Sequence, residues 1–475
     1  MKLKSITVKN YRSIENIKFE THEILDGTFT YGLIGVNEAG KSSLLQAFAL
    51  LDGHVVPSIA DLQDRKLPIE IEYEYTQTEE TIKSSKEIVL KNFPDLKVTD
   101  KDLEQVIVKA VFNLPNLEMV KSLAFSTISD EDTRTKIEPL LLEEIYSKTH
   151  YTIYWKYAEK YLITNQISLS QFSSDPDNIS VPLKHCFELC GYNTNDKIKT
   201  IIQTITTEST EREELRDNLG KQVTNLIRKV WPNHPITITF DISGDGINFH
   251  VKDSNKKAKT ASQRSDGFKQ FISFLLNVSA QKEINSLSNS LLLLDEPETH
   301  LHPQAQEYFL NELIKLTSSD NNICFFATHS NYMIDKKNLS RNFKVVKREK
   351  DEKTEITPFD SRTSTYASVN FEVFGILDDS YHNELYDSLR QKHLDEANKN
   401  LNDDKKLETI GINAFDEQFF VQKLKLKKIH PEKNKDNQVT LPTFVRNCIH
   451  YPTNKKKNFS ESLNESINLM RKYEN

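Results

Sequence analysis

Glycine is scarce in this chain, with 12 residues in 475, and cysteine, with four, is scarcer. Cys186, Cys190, Cys324 and Cys448 are too few and too scattered for a disulfide framework in a chain of this length, which fits a reducing compartment. "HCFELC" sets His185 beside two thiols, but no second pair completes a tetrahedral metal site, and two cysteines four apart read as one buried stripe of a helix. Long apolar runs are also missing. "LLLL" at 291–294 stops far short of the roughly 18 residues a membrane span requires, and the lysines of "MKLKSITVKNYRS" lead into no apolar export segment. The expectation is a cytoplasmic protein without membrane contact. A net charge of -7 excludes a uniformly basic nucleic-acid binder, although a local basic patch remains compatible with it.

What is present is organised. "KLKSITVKNYRSIENIKFE" alternates in period two and predicts a strand pair; "TFTYGLIG" predicts a strand running into a glycine turn, and "KSSLLQAFALLDG" a helix closed by Gly53. "LPIEIEYEYTQ" is an alternating strand, whereas the rest of 61–234 is polar, glycine-poor and predicts a mainly helical insertion, clearest at 209–230. "ITITFDISGDGINFHVKD" carries a hairpin signal around Gly244, Asp245 and Gly246. A helix "GFKQFISFLLNVSAQKEI" precedes two uniformly apolar strands, "SLLLLDEP" and "NICFFATHS", with another helix from about 303 between them. Apolar strands alternating with helices predict an α/β fold with a parallel sheet covered on both faces. Residues 347–368 are charged and rich in Thr and Ser and predict a linker, and 369–475 are lysine-rich and helical in pattern.

Two of the scarce glycines, Gly35 and Gly40, sit in "GVNEAGKSS" with Lys41 and Ser42 directly behind. The spacing fits G-x-x-x-x-G-K-[ST], with the strand before and helix after that the motif needs. Such a loop turns successive backbone N–H groups inward as an anion nest at a helix N-terminus. Lys41 would neutralise the terminal phosphates and the Ser42 hydroxyl would hold Mg²⁺; Asn37 and Ser43 belong to the same nucleotide-binding set. Downstream, Asp295 and Glu296 end a buried strand, where an acidic pair is costly unless it meets a cation or a reacting water. Asp295 would support the Mg²⁺ shell, and Glu296 would act as general base. His329, at the end of the next apolar strand, emerges at the same sheet edge and suits sensing of the γ-phosphate. Ser265 and Gly267 in "SQRSDGFKQF" open a further helix, a second anion-binding start best explained by phosphates held on a neighbouring subunit.

With "RSDGF" following "GVNEAGKS" after a long insertion, and "LLLLDEPETHLHP" and "ATHS" behind it, the chain resembles the ABC-type ATPases related to the structural-maintenance, RecF and OLD proteins, and within them the stand-alone ATPases of anti-phage systems such as Septu and PARIS. The resemblance implies an ABC-type P-loop ATPase head, its mixed or parallel sheet joined by an antiparallel subdomain. The N-lobe would be 1–60 and the C-lobe 235–346, with 61–234 as a helical lid or arm, 347–368 as linker and 369–475 as a helical C-terminal domain. It implies ATP and Mg²⁺ as cofactors and a head-to-head homodimer, or a higher oligomer of dimers, in which Ser265 and Gly267 play the signature role. Arg12 in "NYRS" matches an arginine that approaches the nucleotide, and Gln63 in "IADLQDRK" is the candidate metal-side glutamine at the edge of the insertion. The implied partner is a separately encoded effector nuclease of HNH or Toprim type, with DNA or a phage protein as trigger.

OLD-type proteins carry a Toprim nuclease behind the ATPase, but "LDD" at 377–379 and "NDD" at 402–404 follow no convincing buried strand. Arg446 and His450 resemble the R-x4-6-H motif of HEPN ribonucleases with one residue too few between them, and Pro452 would end their helix. The basic runs at 423–435 and 454–458 suit either phosphate contact or a solvated face. The reading is an ATP-driven switch without intrinsic nuclease activity; the rivals are a RecF-like repair ATPase that binds DNA directly, a self-contained OLD- or HEPN-type nuclease, and a scaffold that binds nucleotide without hydrolysing it. ATP is favoured over GTP because no [NT]-K-x-D motif occurs.

Overall fold

The alternating stretches that open the chain pair antiparallel as β1 (Lys2–Tyr11) and β2 (Ile14–Glu20) in a computed structural model of the protein. The structure describes all residues except 26, 157–158, 164–165, 231–235, 254–258, 261–271, 275, 277–287, 300, 319, 361–364, 400–405, 432–437, 452–457 and 475. It divides into two units, 1–359 and 360–475. In the first, β3 (Thr30–Ile34) is buried throughout and leads through the glycine turn into the helix Lys41–Phe48.

The segment 61–234 contains the helices Glu79–Asn92, Glu131–Ser147 and Ser209–Val230, but it is no separate helical arm. It supplies β4 (Ile69–Thr76), β5 (Gln105–Asn113) and β6 (Glu118–Phe125), which extend the first pair into a five-stranded antiparallel sheet of order β2-β1-β4-β5-β6. β7 (Tyr151–Lys156) goes to the central sheet instead. The cause is in the pattern: "IEIEYEYT" and "QVIVKAVFN" alternate in period two, and such strands need a partner for their backbone groups, which β1 provides.

β8 (Ile167–Ser168) pairs with the hairpin formed by β9 (Ile236–Ser243) and β10 (Gly246–Asp253), which turns through Gly244 at a φ of 57°, and β11 (Lys259–Thr260) pairs with β10 as well. Of the helix expected at 267–284, residues 272–274 and 276 are helical and the remainder lies outside the described residues.

β12 (Ser290–Asp295), β13 (Ile323–Thr328), β14 (Asn342–Lys347) and β15 (Thr354–Pro358) complete the central sheet, of order β15-β14-β3-β13-β12-β7. Every neighbouring pair is parallel except β14 and β15. "SLLLLD" shows why a strand buried on both faces must be uniformly apolar. Leu291 and Leu293 pack with Tyr73, Phe48 and Phe325 on one side of the sheet, and Leu292 and Leu294 with Trp155, Phe274 and Phe309 on the other. Residues 354–358, expected in a linker, are therefore an edge strand, because the β-branched "TEIT" finds the free edge of β14.

The second unit packs the helices Asp379–Asn398, Leu441–His450 and Phe459–Arg471 around Tyr386, Phe415, Phe420 and Ile467. Among the described residues no helix is long and apolar enough to cross a membrane.

Arg341 ties the loop before β14 to the start of β3. It is 1% exposed and donates to Asp335 Oδ2 at 2.8 Å, to the Thr30 carbonyl at 3.1 Å and to Thr28 Oγ1 at 3.1 Å. Arg341→Ala leaves Asp335 as an uncompensated buried charge, so the expected loss is about 3 kcal/mol or more, read as a lower urea midpoint. An unchanged midpoint contradicts this account of the anchor.

Candidate nucleotide-binding site

Parallel strands bring their C-terminal ends to one edge, and β3, β13 and β12 lie side by side there. The loop after β3, Asp295 at the end of β12 with Glu296 behind it, and His329 after β13 therefore meet. Two glycines permit the loop its path. A Cβ on Gly35 would lie 2.3 Å from the Val345 carbonyl of β14, and one on Gly40, which has a φ of 106°, would lie 2.2 Å from Thr354 Oγ1 of β15. No other residue fits at either place. The loop borders a cleft of about 380 Å³ lined by Arg12, Asn37, Gly40, Lys41, Ser42, Ser43 and Glu296, all singled out in the sequence, and by Ser13, Glu38 and Lys347.

Lys41 is 4% exposed, and its Nζ donates to the carbonyls of Gly35 and Val36, both at 2.9 Å. Burial lowers its pKa, against which the charges of Glu296, Asp295 and Glu298 act. Ser42 Oγ donates to Asp295 Oδ1 at 2.8 Å. Burial raises the Asp295 pKa, opposed by the Ser42 hydrogen bond and by the charges of Lys41 and Lys156. A hydroxyl touching a desolvated carboxylate is an all-oxygen donor pair that suits a hard cation such as Mg²⁺. Glu296 takes a left-handed φ of 49°, and His329 Nδ1 stands 3.4 Å from its Oε1.

The remaining expected residues divide between this cleft and other parts of the chain. Arg12 lines it while also donating from Nε to Asp61 Oδ1 at 2.7 Å. Gln63 does not line it; its backbone N–H reaches the Asn10 carbonyl at 3.5 Å, in the turn that follows residues 59–61. Ser265 and Gly267 lie outside the described residues. Arg446 and His450 share the helix Leu441–His450 of the second unit, where Arg446 is half-buried beside Asn447 and His450 is exposed. Asp378 of "LDD" caps the helix Asp379–Asn398, accepting from the Ser380 N–H at 2.7 Å, and 402–404 lie outside the described residues. Cys186 is a core residue of the helix Val181–Leu189, with His185 paired to Glu188 at 2.8 Å.

Besides Ser13 and Glu38, four contributors escaped the sequence reading. Lys156 faces Asp295 across the β7–β12 register. Lys347 lines the cleft, and Thr354 backs Gly40. Glu298 is 2% exposed and accepts from Thr328 Oγ1; burial pushes its carboxyl up to about 7. The alternation of "NFKVVK" and "TEITP" was a signal for the two strands that carry Lys347 and Thr354. Nothing local distinguishes Glu298 from an exposed glutamate.

The sequence profile of the AAA ATPase domain family matches residues 1–334. Among curated proteins, the uncharacterized protein MJECL43 of Methanocaldococcus jannaschii is 25% identical over 142 residues, which are 28% of this chain and 36% of that protein. The chain thus spans little more than a third of that relative's length. Similar solved structures include the SmcHead bound to the C-winged helix domain of ScpA, with 14% identity, a TM-score of 0.43, and coverage of 77% of this chain and 99% of that one. The Smc head domain with an extended coiled coil bound to the C-terminal domain of ScpA, from Pyrococcus furiosus, has 12% identity and a TM-score of 0.40 over 76% and 96% of the two chains. The SMC head domain from Thermotoga maritima has 12% identity and a TM-score of 0.37 over 76% and 100%.

The Glu298 carboxyl yields a pH prediction. Below the ordinary value of 4.5 it is protonated in both states; between there and about 7 the unfolded chain releases a proton that the folded protein keeps, so this group's contribution to stability is lost as pH rises through about 7. Glu298→Gln should therefore be more stable than the native protein at pH 8, by up to about 3 kcal/mol, and no more stable at pH 4.5. Urea midpoints at the two pH values check this, and equal differences at both contradict it.

Proposed function

The chain belongs to the AAA ATPase domain family, and on that premise we propose that it binds ATP with Mg²⁺ at the Lys41 loop, hydrolyses it, and serves as the switch subunit of a bacterial anti-phage defence system. The observation that carries the ATPase reading is the 2.8 Å contact between Ser42 and Asp295, made beside Lys41 and Glu296 at one cleft. In this reading, backbone amides from Gly40 onward and the Lys41 ammonium bind the phosphates. Ser42 and Asp295 hold Mg²⁺, which when bound neutralises phosphate charge. Glu296 takes a proton from the attacking water, and His329, within reach of Glu296, senses the terminal phosphate. Arg12 and Lys347 add positive charge to the cleft wall. Hydrolysis requires no covalent intermediate on the protein.

The switch reading adds a second copy of the chain, whose Ser265 and Gly267 would complete the site in a head-to-head dimer. Closing on ATP and reopening after hydrolysis would then be transmitted to an effector nuclease of HNH or Toprim type encoded nearby. DNA or a phage protein is the proposed trigger. The use of Asp378 as a helix cap supports this reading over a Toprim nuclease built on "LDD".

Calorimetry with Mg²⁺ and ATP, paired with phosphate release, tests the ATPase reading. Lys41→Ala should weaken ATP binding by about tenfold to a hundredfold, the worth of a charge-assisted contact. Glu296→Gln should keep the affinity, lower turnover by about 10²- to 10⁴-fold, and trap a closed dimer visible as doubled mass in sizing chromatography. Absence of Mg²⁺-dependent ATP binding by the native chain overturns the ATPase reading; a monomeric Glu296→Gln protein with ATP bound overturns the dimer.

A further inference from the structure

We propose that Thr354 is a positioning residue for the phosphate-binding loop: its hydroxyl grips the Ala39 carbonyl from behind and so aims the Gly40 amide into the cleft. The inference rests on the nucleotide reading above.

Thr354 opens β15, is 4% exposed and does not line the cleft. Its Oγ1 stands 2.7 Å from Ser13 Oγ and 3.3 Å from the Ala39 carbonyl. A carbonyl only accepts, so the Thr354 proton goes to Ala39, and the Ser13 hydroxyl donates to Thr354 Oγ1. The backbone fixes the same residue a second time, through the Thr354 N–H to the Ser13 carbonyl at 2.8 Å. Thr354 also stands so close to Gly40 that a Cβ there would meet its Oγ1 at 2.2 Å and its Cγ2 at 3.0 Å.

The consequence follows from peptide geometry. The bond between Ala39 and Gly40 is trans, the described cis bond being Leu114–Pro115, and in a trans peptide the C=O and the next N–H point to opposite sides. With the Ala39 carbonyl bonded to Thr354, the plane of the Ala39–Gly40 peptide is fixed, and with it the direction of the Gly40 N–H, in the loop whose Gly40, Lys41 and Ser42 border the cleft. An amide held there before the ligand arrives needs no reorganisation on binding. The anion nest therefore takes its orientation from a strand 315 positions further along the chain than Ala39.

The test compares Thr354→Val, which keeps the shape and loses the hydroxyl, with Thr354→Ser, which keeps the hydroxyl. Calorimetry with Mg²⁺·ATP, and separately with inorganic pyrophosphate, should show Thr354→Val weaker by about fivefold to tenfold for both ligands, as expected for one lost hydrogen bond. Thr354→Ser should return to within about twofold of the native affinity, and kcat at saturating ATP should stay within about twofold in both variants. A merely structural role would lower the melting temperature without this split and without rescue by serine. Native affinity in Thr354→Val, with Lys41→Ala impaired, overturns the inference and leaves the nucleotide reading standing; no ATP binding by the native chain overturns that reading itself. Should Thr354→Val fail to fold, Thr354→Ala removes the same hydroxyl and gives the same readout.

Discussion

A lysine held out of water at the end of a parallel sheet is the constraint from which the rest follows. Burial disfavours the charge on Lys41, and it equally disfavours the charges on Asp295 and Glu298. Each sign is tolerable there because of the other. The sheet order supplies the meeting: β3 and β12 flank β13, so the loop behind one and the acidic turn behind the other share an edge. Ser42 joins the two by its hydrogen bond to Asp295. The same strands are apolar on both faces, which leaves their ends as the place where charge reaches the surface.

The loop that presents Lys41 is backed by chain from elsewhere. β14 presses its Val345 carbonyl against Gly35, and β15 places Thr354 against Gly40. The helix behind the loop is held at its far end by Tyr73 of β4, whose hydroxyl donates to the Phe48 carbonyl. Thus the antiparallel sheet forms part of the support for the site, since Tyr73 of β4 holds the helix that the glycine loop leads into. Ser13, in the turn between β1 and β2, touches Thr354 and borders the cleft, so that sheet also reaches the site directly.

The second unit is helical and has its own core. Buried polar groups pair inside it, among them His382 with Ser466, Tyr386 with Thr443, and Asp416 with Thr440. Such pairs specify how helices meet without exposing polar surface. Arg446 and His450, the residues that resemble a ribonuclease motif, share one helix but differ in exposure, the first half-buried and the second in solvent.

Much was legible in the amino-acid order because it is local. The spacing of Gly35, Gly40, Lys41 and Ser42, the apolar runs before Asp295 and His329, and the paired turns of the hairpin each depend on near neighbours along the chain, and each takes the form the pattern predicts. Gln63 did not join the cleft, and 354–358 became a strand where a linker was expected. "IEIEYEYT" announces a strand but not that β1 will be its partner; Glu298 reads as any glutamate until β13 covers it with Thr328. Period and spacing are properties of a single segment, whereas pairing and burial belong to two. Only the tertiary structure brought Thr354 to Ala39 and Lys156 to Asp295, because no short-range rule encodes which distant strand will find a free edge.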